Sequence, residues 1–133
     1  MRGMPPTGSE PQAMARAAMR RGDIVSVDLE PVRGSQAHKR RPAVVVSNDT
    51  ANATATRLGR GVITVVPVTS NVTQVHDFQV LLPAVETGLK RNSKAQAEQV
   101  RSIAVERVGA RIGVVPQARM DELDEALRIH LSV

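Results

Sequence analysis

Two short runs of β-branched residues constrain the fold of this 133-residue chain more than any other feature. Residues 43–47 read Ala-Val-Val-Val-Ser, and residues 62–68 read Val-Ile-Thr-Val-Val-Pro-Val. Short runs this rich in valine are typical of strands, and the unbroken apolar character of the first predicts burial on both of its faces. Pro67 predicts an edge or a bulge at the end of the second strand, because proline has no N–H to donate to a ladder.

The rest of the chain up to residue 115 alternates between short extended segments and loops that contain Gly, Pro and cations. Loops or turns are expected at residues 31–41, 70–74 and 83–93. Asn48, a cap residue followed by alanines, predicts a short helix that ends before Gly59. Further strands are predicted at residues 23–29, 77–82, 94–103, 105–108 and 111–115.

A different pattern begins at Pro116, a residue that suits the start of a helix. Apolar residues then recur at spacings of three and four, which predicts one apolar helical face formed by Met120, Leu123, Leu127 and Leu131. Many short strands and one terminal amphipathic helix predict a mostly-β member of the α+β class. We expect a small, strongly curled antiparallel barrel with the helix packed against it.

The length predicts a single domain. Residues 1–18 combine Gly, three prolines and an Ala/Met stretch without a core pattern, so we expect a disordered N-terminal extension followed by one folded domain over residues 19–133. No apolar run approaches the roughly 20 residues of a membrane span. The chain has no cysteine, and its three histidines lack the spacing of metal ligands, so no metal site or other cofactor is expected.

The positive charge is concentrated in the β-rich body. The formal net charge is +5, but residues 20–115 carry 14 Lys/Arg against 8 Asp/Glu, whereas residues 116–133 carry 2 against 4. This distribution fits either a polyanionic partner or ordinary solvated surface charge. Phe78 is the only aromatic residue. The chain therefore lacks the aromatic platforms of modules that hold single-stranded nucleic acid by base stacking.

Two candidate catalytic residues lie at the ends of the two apolar runs. Arg41 precedes Pro42, which biases it toward extended geometry at the start of a strand, and Thr69 closes the second run. Such a guanidinium and hydroxyl suit the attack of an RNA 2′-hydroxyl on the neighbouring phosphorus, because guanidinium donors stabilise the extra negative charge. Taken singly, a surface arginine and a turn-forming hydroxyl are the commoner interpretations.

Other polar residues near these runs are weaker candidates. Lys39 and Arg40 are expected to attract a polyanion rather than to catalyse, and His38 is a possible proton shuttle. Glu98 either pairs with a neighbouring arginine, Arg41 or Arg101, or faces the substrate.

In order along the chain, several blocks resemble the MazF/PemK (Kid) family, the toxins of type II toxin–antitoxin modules. The blocks are Gly22-Asp23-Ile24-Val25, Asp28-Leu29-Glu30-Pro31, Gly34-Ser35, Arg41-Pro42-Ala43-Val44-Val45-Val46-Ser47, Val66-Pro67-Val68-Thr69-Ser70 and Glu98-Gln99-Val100-Arg101-Ser102-Ile103.

The resemblance implies an SH3-like barrel, a homodimer and a cytoplasmic, metal-independent endoribonuclease that leaves 2′,3′-cyclic phosphate and 5′-hydroxyl ends on single-stranded RNA. It also implies a cognate antitoxin with an acidic tail over the RNA groove. By the same resemblance Arg41 and Thr69 are catalytic, and residues 30–41 form a mobile flap beside the site. RNA-binding residues are then expected at Gln36, His38, Lys39, Arg40, Ser70, Asn71, Glu98 and Gln99.

The chain departs from the family pattern at three positions. It has Gln36 where some members have an acid, and Gln96 and Glu98 where Kid-type members have an arginine and an aspartate. The general base therefore stays open. Two other functions also remain: a toxin of the same fold that poisons a protein such as DNA gyrase, and a basic nucleic-acid-binding regulator.

Overall fold

The computed structural model describes residues 19–29 and 40–133. Within them the chain forms seven strands, three α-helices and two single 3₁₀ turns, the latter at Ala97–Gln99 and Val105–Arg107. The strands are β1 Asp23–Asp28, β2 Arg40–Val45, β3 Val62–Thr69, β4 Gln79–Leu82, β5 Ser93–Gln96, β6 Arg101–Ala104 and β7 Val108–Val114. The helices are α1 Asp49–Leu58, α2 Ala84–Thr87 and α3 Gln117–Leu131. The predicted extension at residues 1–18 and most of the loop at 31–41 lie outside the described residues.

All strands belong to one antiparallel sheet in the order β4-β5-β3-β2-β1-β7, with β6 also paired to β3. The prediction of a mostly-β antiparallel fold with a C-terminal helix is confirmed. The described strands leave β4 and β7 as the two ends of the path, so the pairing does not close into a barrel.

β3 is the central strand and explains two departures from the predicted elements. One edge of β3 pairs with β2, while the other pairs with β6 at Val62–Val65 and with β5 at Val68 and Thr69. The single strand predicted over residues 94–103 is therefore wrong: the turn at Ala97–Gln99 divides it in two. Pro67 lies in this central strand rather than at an edge, opposite the break between β6 and β5, where the missing N–H interrupts no ladder.

The sheet buries both of its faces. Ala43 and Val45 of β2 belong to one apolar cluster with residues of β1, β3 and β6, whereas Val44 belongs to a second cluster that includes α3. All three side chains are fully buried. The prediction that this run is covered on both faces is confirmed, although β2 begins at Arg40, three residues earlier than expected.

Capping residues set both ends of α1 and the start of α3. Asn48 caps α1 through its side chain, and Gly59 ends that helix with a positive φ of 68°, so the predicted limits of this helix are confirmed. Pro116 precedes α3 in extended geometry. Met120 and Leu123 are buried, but Leu131 is 52% exposed, so its place on the apolar face was predicted wrongly. Ala126 belongs to the buried face instead, in the cluster that α3 forms with β4 and β5.

Candidate active site

Arg41 is the second residue of β2 and lies in the sheet, not in a loop. Its Cα partner is Val27 of β1, and its side chain is exposed. No hydrogen bond or ion pair joins its guanidinium to any residue that the structure describes. The backbone is therefore held on a paired strand while the full set of guanidinium donors stays available.

Arg41 and Thr69 project from the same face of the sheet. The ladder between β2 and β3 includes the pair Ala43–Pro67, and each candidate lies two residues beyond that pair on its own strand. Because side chains alternate with a period of two, both point to the face occupied by Ala43 and Pro67. The predicted convergence of the two strand ends agrees with this geometry.

The Thr69 hydroxyl also shapes the turn that follows β3. Its Oγ1 accepts a hydrogen bond of 3.2 Å from the backbone N–H of Asn71, and Oδ1 of Asn71 accepts one of 3.2 Å from the N–H of Thr73. Accepting leaves the hydroxyl proton of Thr69 free to donate. Ser70 and Asn71 are both exposed beside it.

Arg40, expected to act as a loose electrostatic attractor, has a side chain that is fixed in place. Its Nε donates to Oγ of Ser26 at 2.9 Å, and its Nη2 donates to the carbonyl oxygens of Ser26 at 3.0 Å and Arg107 at 3.1 Å. Gly109 leaves the space in which this guanidinium lies. Nη1 has no partner among the residues described here, so two N–H donors still face outward.

A strip of polar residues continues from Thr69 across β5 and β4. Lys94 is the cross-strand partner of Thr69 and is only 8% exposed. Its Nζ donates to the carbonyl oxygen of Gln74, and Oε1 of Gln79 accepts from the N–H of His76 at 3.1 Å. These two contacts hold the segment between β3 and β4 against the sheet, next to the turn at Thr69.

Glu98 pairs with an amide rather than with an arginine. Its Oε2 accepts a hydrogen bond of 2.9 Å from Nε2 of Gln79, and no ion pair with Arg41 or Arg101 occurs in the described structure. Its other oxygen, Oε1, is buried without a hydrogen-bond partner. Glu98 lies in the turn between β5 and β6, four residues along the chain from Lys94, and Gln99 beside it is exposed.

Three of the predicted RNA-binding residues, Gln36, His38 and Lys39, lie outside the described residues. The structure brings together Arg41, Thr69, Ser70 and Asn71 at one end of β2 and β3. Arg40 starts the same strand but, by alternation, projects from the opposite face to Arg41.

Sequence reasoning missed a cavity of about 550 Å³ on that opposite face. The described residues of its lining supply three cations, two hydroxyls and three apolar side chains, and none of them is a carboxylate. The lining residues are Arg40, Pro42, Ser70, Gly88, Leu89, Lys90, Arg91, Ser93 and Ile112. The only signal in the sequence is the pair of cations, Lys90 and Arg91, in the loop after Gly88.

Two described carboxylates have a lowered pKa, and neither is a candidate catalytic residue or lines the cavity. The N–H of Arg21 lowers the pKa of Asp49 by donating a hydrogen bond to its carboxylate. Arg119 lowers the pKa of Glu86 by donating hydrogen bonds of 3.0 and 3.2 Å to its two carboxylate oxygens.

Among the described residues, no cluster of three or more His, Asp or Glu side chains could hold a metal ion. None of the described helices is long and apolar enough to cross a membrane.

Comparison with known proteins connects this geometry to one family. Residues 20–131 match the model for the PemK-like, MazF-like toxin of type II toxin–antitoxin systems. The chain is similar to endoribonuclease MazF9 of Mycobacterium tuberculosis, at 66% identity over 86% of this chain and 98% of that protein. It is also similar to endoribonuclease EndoA of Bacillus subtilis, at 33% identity over 86% of this chain and 96% of that protein. In structure it resembles the MazE-MazF crystal structure from Deinococcus radiodurans, with a TM-score of 0.67 and 26% identity over 86% of this chain and 97% of that chain.

Proposed function

The chain belongs to the PemK-like, MazF-like toxin family of type II toxin–antitoxin systems, and from that membership we propose that it is a metal-independent, sequence-specific endoribonuclease. Its substrate is single-stranded RNA. The observation that carries the proposal is the projection of Arg41 and Thr69 from one sheet face, two residues beyond the pair Ala43–Pro67.

In the proposed reaction, the 2′-hydroxyl of the RNA attacks the adjacent phosphorus, and the bond from phosphorus to the 5′-oxygen breaks. A general base takes the 2′-hydroxyl proton, and a general acid gives a proton to the leaving 5′-oxygen. The products are a 2′,3′-cyclic phosphate and a 5′-hydroxyl. Arg41 stabilises the extra negative charge at phosphorus, because its donors are exposed and have no partner among the described residues.

Thr69 is proposed to hold a phosphate oxygen through its hydroxyl proton. Its acceptor side is engaged by Asn71, which keeps the donor side turned away from the backbone of the turn. The general base remains unassigned. Oε2 of Glu98 is engaged by Gln79 and its Oε1 is buried, so we assign it no proton transfer; its role in RNA binding rests on the family resemblance alone.

Three further assignments accompany the activity. The similar structure from Deinococcus radiodurans is one of MazE-MazF, and this supports a cognate antitoxin for this chain. We propose that the acidic tail of the antitoxin covers the basic RNA-binding surface. We also propose that the toxin acts as a homodimer in the cytoplasm. The gyrase-poison alternative has no supporting observation, since the relatives compared above carry the name endoribonuclease.

Incubation of the purified protein with a mixture of single-stranded RNA sequences in EDTA tests this function. We expect fragments with 2′,3′-cyclic phosphate ends, and a loss of roughly 10²–10³-fold in kcat for Arg41→Ala, as for removal of an oxyanion donor. Thr69→Ala is also expected to lower kcat. Thermal unfolding should change little in Arg41→Ala, because that exposed side chain makes no hydrogen bond or ion pair with any described residue. Cleavage that persists in Arg41→Ala would refute the site, and a folded protein that cleaves no RNA would refute the activity.

A further inference from the structure

The cavity on the face opposite Arg41 has the composition of a nucleotide site. Arg40, Lys90 and Arg91 supply three positive charges to its wall, and none of the described residues that line it is acidic. Pro42, Leu89 and Ile112 supply an apolar surface. Its volume of about 550 Å³ lies inside the range of small-molecule sites, roughly 300–1,000 Å³. A phosphate beside the cations and a base or ribose against the apolar side chains would use both parts of the lining.

The cationic end of the cavity is preorganised. Three hydrogen bonds fix the guanidinium of Arg40 to β1 and to the turn before β7, and they leave both N–H groups of Nη1 unused by described residues. These two N–H groups diverge from one nitrogen, so each can donate to a different phosphate or ribose oxygen. The alignment costs little on binding, because the side chain is already immobilised.

The loop that carries Lys90 and Arg91 is also held in place. Asn92 accepts a hydrogen bond of 2.9 Å from the N–H of Ala84, and the hydroxyl of Ser93 donates one of 2.9 Å to the carbonyl oxygen of Arg91. At the start of the loop, α2 lies so close to β7 that a Cβ on Gly113 would be 2.6 Å from the carbonyl oxygen of Thr87. The backbone is therefore rigid, while the side chains of Lys90 and Arg91 are exposed and pair with no described residue.

The cavity is adjacent to the proposed catalytic residues through two chain neighbours. Arg40 precedes Arg41 on β2, and Ser70 follows Thr69 at the end of β3. Arg41 and Thr69 project from the proposed catalytic face of the sheet, whereas Arg40 and Ser70 line the cavity on the opposite face. An RNA strand that rounds this end of β2 and β3 would place one phosphate at Arg41 and Thr69 and a neighbouring nucleotide in the cavity.

We propose that this cavity binds the nucleotide that flanks the scissile phosphate of the RNA, with its phosphate held by Arg40, Lys90 and Arg91. The inference rests on the proposed ribonuclease function and adds a binding subsite to it. RNA is favoured over an acidic peptide because Arg40 and Ser70, which line the cavity, directly neighbour Arg41 and Thr69 in the chain, and because the cavity offers an apolar surface beside its cations.

The test compares two variants that each lose two positive charges. Lys90→Ala/Arg91→Ala removes the exposed cations of the cavity. Arg57→Ala/Arg60→Ala is the matched control: both arginines are exposed, have no partner among described residues, and lie near the start of β3, the end opposite Thr69. Thermal unfolding of both variants verifies that they fold.

The probe is a single-stranded RNA in which wild-type cleavage has been mapped, made uncleavable by one 2′-deoxy nucleotide at the scissile position. Copies of this RNA carry an uncharged methylphosphonate at one phosphate at a time. We expect the cavity variant to bind the RNA about tenfold more weakly, with a salt slope smaller by about 1 for each lost phosphate contact, and the control to change less than threefold. On cleavable RNA we expect KM to rise while kcat changes little.

The methylphosphonate series identifies the contact. Wild-type protein should lose affinity when one flanking phosphate is neutralised, and the cavity variant should be insensitive at that same position. Equal weakening of both variants, or a cavity variant that stays sensitive at every phosphate, would overturn the inference and leave the ribonuclease function intact. If the cavity variant binds RNA normally but loses affinity for a peptide of Asp and Glu residues, the site is a peptide site and the inference is wrong. Failure of the wild type to cleave any RNA would overturn the proposed function itself.

Discussion

A Cβ atom on Gly109 would lie 2.6 Å from Nη2 of Arg40. The same atom would also lie 3.1 Å from the carbonyl oxygen of Ser26, which accepts a hydrogen bond from that nitrogen. Glycine at this position of β7 is therefore what allows a guanidinium to lie across β1 and reach the carbonyl oxygen of Arg107. The relationship joins the last strand to the first residue of β2, one position before the proposed catalytic arginine.

Substitution Gly109→Ala should lower the free energy of unfolding by about 1–3 kcal/mol, the usual cost of overpacking a filled site. The added methyl group must displace the Arg40 guanidinium and break its hydrogen bonds to Ser26 and Arg107. Urea unfolding of the single variant, of Arg40→Ala and of the double variant measures this as a cycle. We expect the alanine at position 109 to cost less when Arg40 is absent. Equal costs in both backgrounds would show that the two residues are not coupled.

The hydrogen bond between Gln79 and Glu98 predicts a second stability effect. Oε1 of Glu98 is buried without a partner, so Gln79→Leu would leave both carboxylate oxygens without one among the described residues. We expect a loss of about 1–3 kcal/mol, the cost of an unsatisfied buried acceptor. The double variant Gln79→Leu/Glu98→Leu should recover most of that loss, since removing both polar partners is nearly neutral. Chemical denaturation gives the values, and a double variant less stable than Gln79→Leu would contradict this account.

The ion pair between Glu86 and Arg119 predicts a dependence of stability on pH. Hydrogen bonds from Arg119 lower the pKa of Glu86 below its ordinary value of 4.5, so the unfolded chain binds more protons near that pH than the folded chain. The resulting stabilisation is complete above the ordinary value and is lost as the pH falls through the lowered one. Unfolding curves of wild type and Glu86→Gln should therefore differ at pH 7 and converge in acid. A difference that grows on acidification would contradict the sign.

Structural features that depend only on neighbouring residues in the chain, such as helix caps, were predicted correctly for α1. Asn48 and Gly59 mark the start and the end of α1, because a capping residue and a residue in the left-handed conformation act on backbone groups only a few positions away. The runs at residues 23–29 and 62–68 gave strands close to their predicted limits. The strand predicted at residues 105–108 was wrong, because Val105–Arg107 forms a 3₁₀ turn and β7 begins only at Val108. Strand alternation predicts the face that Arg41 and Thr69 share, and their catalytic role stays a prediction. The cavity beside Lys90 and Arg91 and the hydrogen bond between Glu98 and Gln79 follow from no local sequence pattern.

The sequence alone therefore determines most strand-forming runs, the limits of α1, the start of α3 and the face that each residue takes within its own strand, because these follow from steric preferences and a period of two or 3.6. Only the tertiary structure decides which strands pair and what each polar side chain meets. Arg40 reaches Arg107, 67 positions away, and joins Lys90 and Arg91 around one cavity because β3 holds β2 on one edge and β5 on the other. Those contacts depend on the packing of distant segments, which no local pattern specifies.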